Sequence, residues 1–377
     1  MEFSVDLLSF QKAMRLFGAV AKATSLETDG QLFLEIRDTG ELVVLCSNKS
    51  ISLTHVIPKC EVVVAGSAAV LYGKLSPFVF AFPYLKDGVG AKTISFKALK
   101  NDLALQVVSI INDKPTTHKL KLRLYPVQKI AFPSPFGQSL FEINAATLRL
   151  ALSKVMYAVN PSAIRSFLQG VNLNFDKDYV YFAGTDAQKL SEYRTPNTSK
   201  FLEGAFTLSY PFINALKRIL DTDSTVYFCV DNNRIKARFG NTVLHGLLLL
   251  GEEYPDYTKA FENYTQTITL NKHTLISSLA PVIPSLDPDD HSRLTIQMSG
   301  GKLVLKNDFA AVEYSEDIKF DGDFVIDLNG TYLIQTLNAI MDDLITMQFS
   351  TDTSALIFDS AQFNNQKALI TPVRRHG

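Results

Sequence analysis

Apolar and polar positions alternate with period two through Val171-Asn172-Leu173-Asn174-Phe175, the pattern of a strand with one buried face. Asp176-Lys177-Asp178 supplies turn chemistry. Tyr179-Val180-Tyr181-Phe182-Ala183 follows as a second β-rich run, so the segment predicts a hairpin. The chain leaves the strand line at Gly184-Thr185-Asp186 and returns to an apolar position at Leu190.

The same order of elements recurs along the chain. Phe3-Ser4-Val5-Asp6 leads into a helix predicted over Phe10 to Ala23. Phe141-Glu142-Ile143-Asn144 leads into Ala145 to Val159, and Ile268-Thr269-Leu270-Asn271 into Lys272 to Val282. Asp6, Asn144 and Asn271 close their strands and suit a helix cap. Strand pairs follow: Leu32–Ile36 with Leu42–Leu45, the hairpin above, and Leu294–Gln297 with Leu303–Leu305. A second strand and helix then recur, the helices predicted over Ala68 to Pro77, Tyr210 to Leu220 and Thr331 to Met341. Each helix has a single apolar stripe and must lie on a sheet. The expected fold class is therefore α+β, with three tandem domains, each an internally duplicated helix-on-sheet unit. The expected spans are 1–130, 131–256 and 257–377. A third of 377 residues is about 126, an ordinary domain size. The joints fall near Phe132-Pro133-Ser134-Pro135-Phe136 and Tyr254-Pro255-Asp256-Tyr257, where proline disfavours continuing either element.

Three separated motifs carry a resemblance. The hairpin begins Leu168-Gln169-Gly170-Val171 and ends Thr185-Asp186 with Leu190 four residues on. Tyr254-Pro255-Asp256-Tyr257 is similar to Phe-Pro-Asp-Tyr, and Leu369-Ile370-Thr371-Pro372-Val373-Arg374 to Val-Val-Met-Pro-Met-Arg. In this order the chain resembles the bacterial DNA polymerase sliding clamp, the β clamp or DNA polymerase III beta subunit, as a divergent member. The resemblance spans the whole chain and is thin over residues 1 to 130. It implies that two chains close head to tail into a six-domain ring. Such a ring encircles duplex DNA without sequence preference and tethers the replicative DNA polymerase. It also accepts the clamp loader and other proteins carrying a clamp-binding motif. The implied setting is the bacterial cytoplasm or nucleoid, with a phage- or plasmid-encoded origin left open. The alternative is a clamp-fold interaction scaffold that does not encircle DNA.

Charge then matters. Lysine and arginine number 37 against 38 acids, a net charge of −1, so the whole molecule offers no electrostatic attraction to nucleic acid. The helices nevertheless lack acid. They carry Lys12, Arg15 and Lys22, then Lys74, Arg149, Lys154, Lys217, Arg218 and Lys272, with Arg165 just beyond the third; Thr331 to Met341 has no charge. If these helices face one way they form a basic wall for phosphate contacts that read no sequence. Solvated helix faces are the plainer reading of any one of them.

The resemblance places a partner-peptide cleft at Leu168, Thr185, Ala187, Gln188, Lys189, Leu190, Pro255, Lys259, Ala260, Leu369, Ile370, Thr371, Pro372, Val373 and Arg374. Here the chain departs from the family: Ala187-Gln188-Lys189 stands for Gly-His-Arg, Thr371 for Met, and Arg375-His376-Gly377 extends the end. Leu168 and Leu190 also read as core. The strictly alternating Lys119-Leu120-Lys121-Leu122-Arg123-Leu124 reads either as core or, by resemblance, as a dimer seam. In the seam reading Leu120 and Leu122 lie against Val282 and Ile283 of a second copy. Enzyme chemistry is not expected. Cys46, Cys60 and Cys229 match no metal or disulfide spacing and read as buried thiols. The six histidines make no local triad, and no glycine-rich phosphate loop is present. Asp287-Pro288-Asp289-Asp290-His291 lacks a calcium-loop spacing; a metal-dependent hydrolase using Asp289 and Asp290 is the weakest reading. No cofactor and no metal are expected. With neither a signal sequence nor a membrane-length apolar run, a cytosolic protein without a membrane partner is expected.

Overall fold

The computed structural model describes residues 1–377 except 23, 26, 86–88, 112–113, 127–135, 200–202, 263, 363–364 and 374–377. The first predicted joint lies largely outside the described residues, as do Arg374 and the three residues after it. The chain divides into two compact units, residues 1–146 with 211–248 and residues 147–210 with 249–377.

Each unit is built on one eight-stranded antiparallel sheet and one smaller sheet. In the first unit the large sheet runs Phe141–Asn144, Thr225–Asp231, Arg234–Phe239, Thr242–Leu247, Ser52–Ile57, Leu42–Ser47, Gln31–Ile36, Gly66–Leu71. Its small sheet runs Glu61–Val64, Glu2–Asp6, Gly90–Ala98, Asp102–Ile111, Lys114–Arg123. In the second unit the large sheet runs Gly204–Ser209, Gly170–Phe175, Tyr179–Thr185, Lys189–Pro196, Gln366–Ile370, Leu356–Ser360, Leu344–Phe349, Gln266–Asn271. The small one runs Ala311–Glu313, Lys302–Lys306, Arg293–Ser299, Phe324–Asn329. Each large sheet thus joins two four-stranded halves that are far apart in sequence, which is why the units do not follow thirds of the chain.

The predicted hairpin forms, with Leu173 opposite Phe182 and Phe175 opposite Val180. Among the described residues there are six α-helices: α1 Leu7–Phe17, α2 Tyr72–Phe80, α3 Ala145–Val155, α4 Tyr210–Ile219, α5 Lys272–Leu279 and α6 Gly330–Ala339. The predicted caps act: the carboxylate of Asp6 accepts the Ser9 amide at 2.8 Å, Asn144 that of Ala146 at 2.9 Å and Asn271 that of Thr274 at 3.1 Å. Two helices shift: the first runs Leu7–Phe17 rather than Phe10 to Ala23, and the second starts at Tyr72 rather than Ala68. Ala68–Leu71 is strand, paired with Gln31–Leu34, because two alanines on a fully covered sheet obey pairing rather than helix propensity.

Helices α5 and α6 cover a core in which Leu275, Leu279, Leu333 and Leu337 meet Ile296, Ile345, Met347 and Phe349. Val282 belongs to this core with 0% exposure and Ile283 is half-buried against it, so Val282 is not a free seam residue as expected. In Lys114–Arg123 the alternation holds: Leu122 is buried, Leu120 half-buried, and Lys119, Lys121 and Arg123 exposed.

The joint between the halves of the first large sheet holds two half-buried histidines. His55 and Thr242 face each other across it, with Nδ1 and Oγ1 2.8 Å apart, and His245 lies opposite Ser52. Burial pushes His55 down to about 4. Burial, then Lys236 and Arg234, does the same to His245. The unfolded chain therefore binds more protons between about pH 4 and pH 6.5, so stability is full above that window and falls as pH drops through it. Each histidine contributes on the order of 3 kcal/mol at the lower end. The urea midpoint should fall steeply from pH 6.5 to 4, and His55→Gln with His245→Gln should flatten the slope; an unchanged slope would refute this account.

Candidate peptide cleft and basic helix faces

The turn Thr185–Lys189 is built by its own polar groups. The Asp186 carboxylate accepts the amides of Gln188 at 2.9 Å and Lys189 at 2.8 Å, and the Thr185 hydroxyl donates to the Lys189 carbonyl at 2.7 Å. Ala187 has φ +74°, a left-handed position where Cβ costs about 1 kcal/mol; this is the position where the family's glycine was expected. The Lys189 ammonium meets Asp186 at 2.6 Å and sits 3.6 Å from the centre of the Tyr332 ring.

The C-terminal segment lies beside this turn. Leu190 is registered with Leu369, and the Thr371 amide donates to the Gln188 carbonyl at 2.9 Å. The Tyr332 hydroxyl donates to the Gln188 side-chain oxygen at 3.1 Å. A pocket of about 260 Å³ opens there, lined by Gln188, His291, Asn329, Tyr332, Thr371, Pro372 and Val373. On the other side of the strands, Leu190 and Leu369 pack with Phe261 and Ile357. Edge-to-face contacts link Phe167 to Tyr254 at 5.9 Å, Tyr254 to Tyr257 at 6.0 Å and Tyr257 to Phe261 at 6.2 Å. Burial pushes the Tyr254 and Tyr257 hydroxyls far up. Tyr254-Pro255-Asp256-Tyr257 is therefore an aromatic anchor that leaves Pro255, Lys259 and Ala260 exposed.

The structure thus brings Gln188, Thr371, Pro372 and Val373 together at one pocket, with the buried Lys189 behind the Tyr332 ring that lines it. Leu190 and Leu369 are buried beneath it, Leu168 is buried at the foot of the hairpin, and Ile370 belongs to the core at 0% exposure. Arg374 lies outside the described residues. Asn329, Tyr332 and His291 were missed. The available signal was Asn329-Gly330-Thr331-Tyr332, a cap followed by an aromatic residue at the start of a helix.

None of the six helices contains an acid. Lys12, Arg15, Lys22, Lys74, Arg149, Arg165 and Arg218 are exposed and Lys217 is half-buried. Arg15 lies 5.9 Å from the Phe80 ring centre. Lys154 and Lys272 correct the expectation of solvent-facing cations. They are buried to 7% and 8% exposure and donate to backbone carbonyls at the end of α6. Helix periodicity identified their helices and could not show that a second helix end receives them.

The three cysteines are buried and unpaired, and burial pushes Cys46 up to about 12 and Cys60 to about 11. Two carboxylates of 287–290 are engaged locally: that of Asp287 caps the Asp289 amide and that of Asp290 pairs with Arg293 at 2.8 Å. Among the described residues no helix is long and apolar enough to cross a membrane.

Residues 142–256 match the family model of the DNA polymerase III beta subunit, central domain. The beta sliding clamp of Staphylococcus epidermidis is 22% identical over 350 residues, 89% of each chain. That of Synechocystis is 24% identical over 265 residues, 65% of this chain and 68% of the relative. Among solved structures, the DNA polymerase III subunit beta of Pseudomonas aeruginosa superposes with a TM-score of 0.86 at 17% identity, covering all of both chains. A second structure of that sliding clamp, bound to griselimycin, gives 0.85 at the same identity and coverage. The hairpin and the closing strand stand in one sheet, with Tyr257 of the aromatic anchor packed against them; the chain shares its fold over its full length with bacterial β sliding clamps, and its residues 142–256 match the central domain of that family.

Proposed function

We propose that this sliding clamp pairs head to tail with a second copy, closes around duplex DNA, and holds its partners through the pocket at Gln188, Tyr332 and Thr371–Val373. The replicative polymerase, the clamp loader and other proteins with a clamp-binding motif are those partners, in the bacterial cytoplasm or nucleoid. The chain has no catalysis of its own. Three domains, 1–130, 131–256 and 257–377, supply half of the six-domain ring. The observation that carries this reading is the absence of acid from all six helices of a nearly neutral chain, with exposed cations on four of them. Diffuse phosphate contacts are enough for a ring held on DNA by topology, and weak contacts let it slide.

Retention on circular against linear DNA tests this directly. The wild type, once loaded, should stay on nicked circles and leave linear DNA. Lys12→Glu with Arg149→Glu should lower retention roughly tenfold near 0.15 M salt and make its salt dependence shallower by about two contacts, with the fold unchanged. Equal retention and slope would remove the helices from the DNA path. A wild type never retained on circles would instead support a scaffold that does not encircle DNA.

A further inference from the structure

We infer that Lys154 and Lys272 are positioning residues of the peptide pocket: their ammonium groups hold the C-terminal end of α6, whose first turn builds one pocket wall. This rests on the pocket reading above and adds what keeps that pocket in shape. The last carbonyls of a helix lack partners within it, and a cation there is favoured by the helix dipole. Lys154 of α3 reaches the Ala339 carbonyl at 2.5 Å. Lys272, the first residue of α5, reaches those of Ile340 at 2.9 Å and Met341 at 3.1 Å. Burying an ammonium is costly unless it is paired. Here two buried cations converge on three successive carbonyls, beside the buried Asp342. Asp342 is itself held, accepting from the Ser360 hydroxyl and the Gln362 amide.

The other end of α6 faces the pocket. Asn329 caps the Tyr332 amide at 3.0 Å, and the Tyr332 ring and hydroxyl engage Lys189 and Gln188. A ten-residue helix is about 15 Å long and moves as one piece, so slack at Ala339 is felt at Tyr332. Lys154 also touches the facing wall, because its own carbonyl accepts the Ser191 hydroxyl at 2.9 Å, two residues beyond Lys189. One residue therefore ties α6 to the strand that starts at Lys189, directly after Gln188. The charged groups facing the Lys154 ammonium are Lys272 from α5 and Asp342 after α6. Burial, then Lys272, pushes Lys154 down to about 8 against the pull of Asp342. Peptide affinity should thus be full below pH 8 and fall above it.

The test is fluorescence anisotropy with a fluorescein-labelled extended pentapeptide carrying leucine at its second and fourth positions and phenylalanine at its fifth. At pH 7, Lys154→Met and Lys272→Met should each bind on the order of tenfold more weakly. Wild-type affinity should drop severalfold between pH 7 and 9, and that drop should vanish in Lys154→Met. Wild-type affinity in both variants, or an equal pH drop in wild type and Lys154→Met, would overturn the inference. So would a Lys154→Met protein that keeps peptide affinity and loses retention on circular DNA, which would return this lysine to the DNA path. If Lys154→Met fails to fold, Lys272→Met and the wild-type pH profile decide the matter. A wild type retained on circles that does not bind the peptide refutes the pocket reading itself, a different result from variants that bind as well as wild type.

Discussion

Lys189→Ala should destabilise the second unit by about 3 kcal/mol and lower its melting temperature by roughly 6–12 °C. The side chains of Lys189 and Asp186 are 7% and 8% exposed, and their 2.6 Å contact is shielded from solvent. Exposed ion pairs contribute little, but removing one partner of a buried pair strands the other charge, typically at 3–5 kcal/mol. The lower end applies here because Asp186 keeps the amides of Gln188 and Lys189. The substitution also removes the cation above the Tyr332 ring. Asp186→Asn combined with Lys189→Met should cost less than the sum of the single changes, since the double variant leaves no unpaired charge. Calorimetry of the four proteins reads the coupling. A loss below about 1 kcal/mol for Lys189→Ala would mean that water screens this pair as at a surface.

The turn that holds this pair was legible in the sequence, because Thr185 and Asp186 after a period-two hairpin make a polar turn whatever packs on it. The caps at Asp6, Asn144 and Asn271 were legible for the same reason: their partners lie two or three residues away. What depends on distant partners was not. Ala68–Leu71 reads as helix until Gln31–Leu34 is placed beside it. Val282 shares an apolar stripe with Leu275 and Leu279 by spacing, the resemblance placed it at a seam, and the core under α5 and α6 takes it. Lys154 and Lys272 sit on helices whose other cations are exposed, and only the end of α6, more than sixty residues from either, explains their burial. In the pocket, Gln188 and Thr371–Val373 followed from motifs. Asn329, Tyr332 and His291 belong to no such run and enter only because α6 starts against the turn.

Glu313→Pro should convert a particle of about 84 kDa, twice the chain's 41.9 kDa, into one of 41.9 kDa, and should abolish retention on circular DNA. The reason lies in how the large sheets are assembled. In the first, the last strand of one half, Thr242–Leu247, pairs with Ser52–Ile57, the third of the other. In the second, Gln366–Ile370 pairs likewise with Lys189–Pro196. The equivalent strands in the small sheets are Lys114–Arg123 and Ala311–Glu313, and both lie at an edge among the described residues. In the ring proposed above, a second copy would supply the missing partner to each. The Tyr314 amide donates to Leu303, and Val312 and Glu313 are registered with Leu305 and Val304, so by the two-residue period the Glu313 amide points to the open edge. Proline there removes an outward donor and no bond to the neighbouring strand. Glu313→Ala is the control, because the exposed pair with Lys302 contributes little and its loss should leave the dimer intact. In that pairing the exposed Lys119, Lys121 and Arg123 of one edge would meet the exposed Asp308, Glu313 and Glu316 of the other, which would disfavour pairing of like edges and should make association weaken as salt rises. Light scattering over a dilution series reads both variants. A Glu313→Pro protein that remains at twice the chain mass would place the ring joint on some other surface.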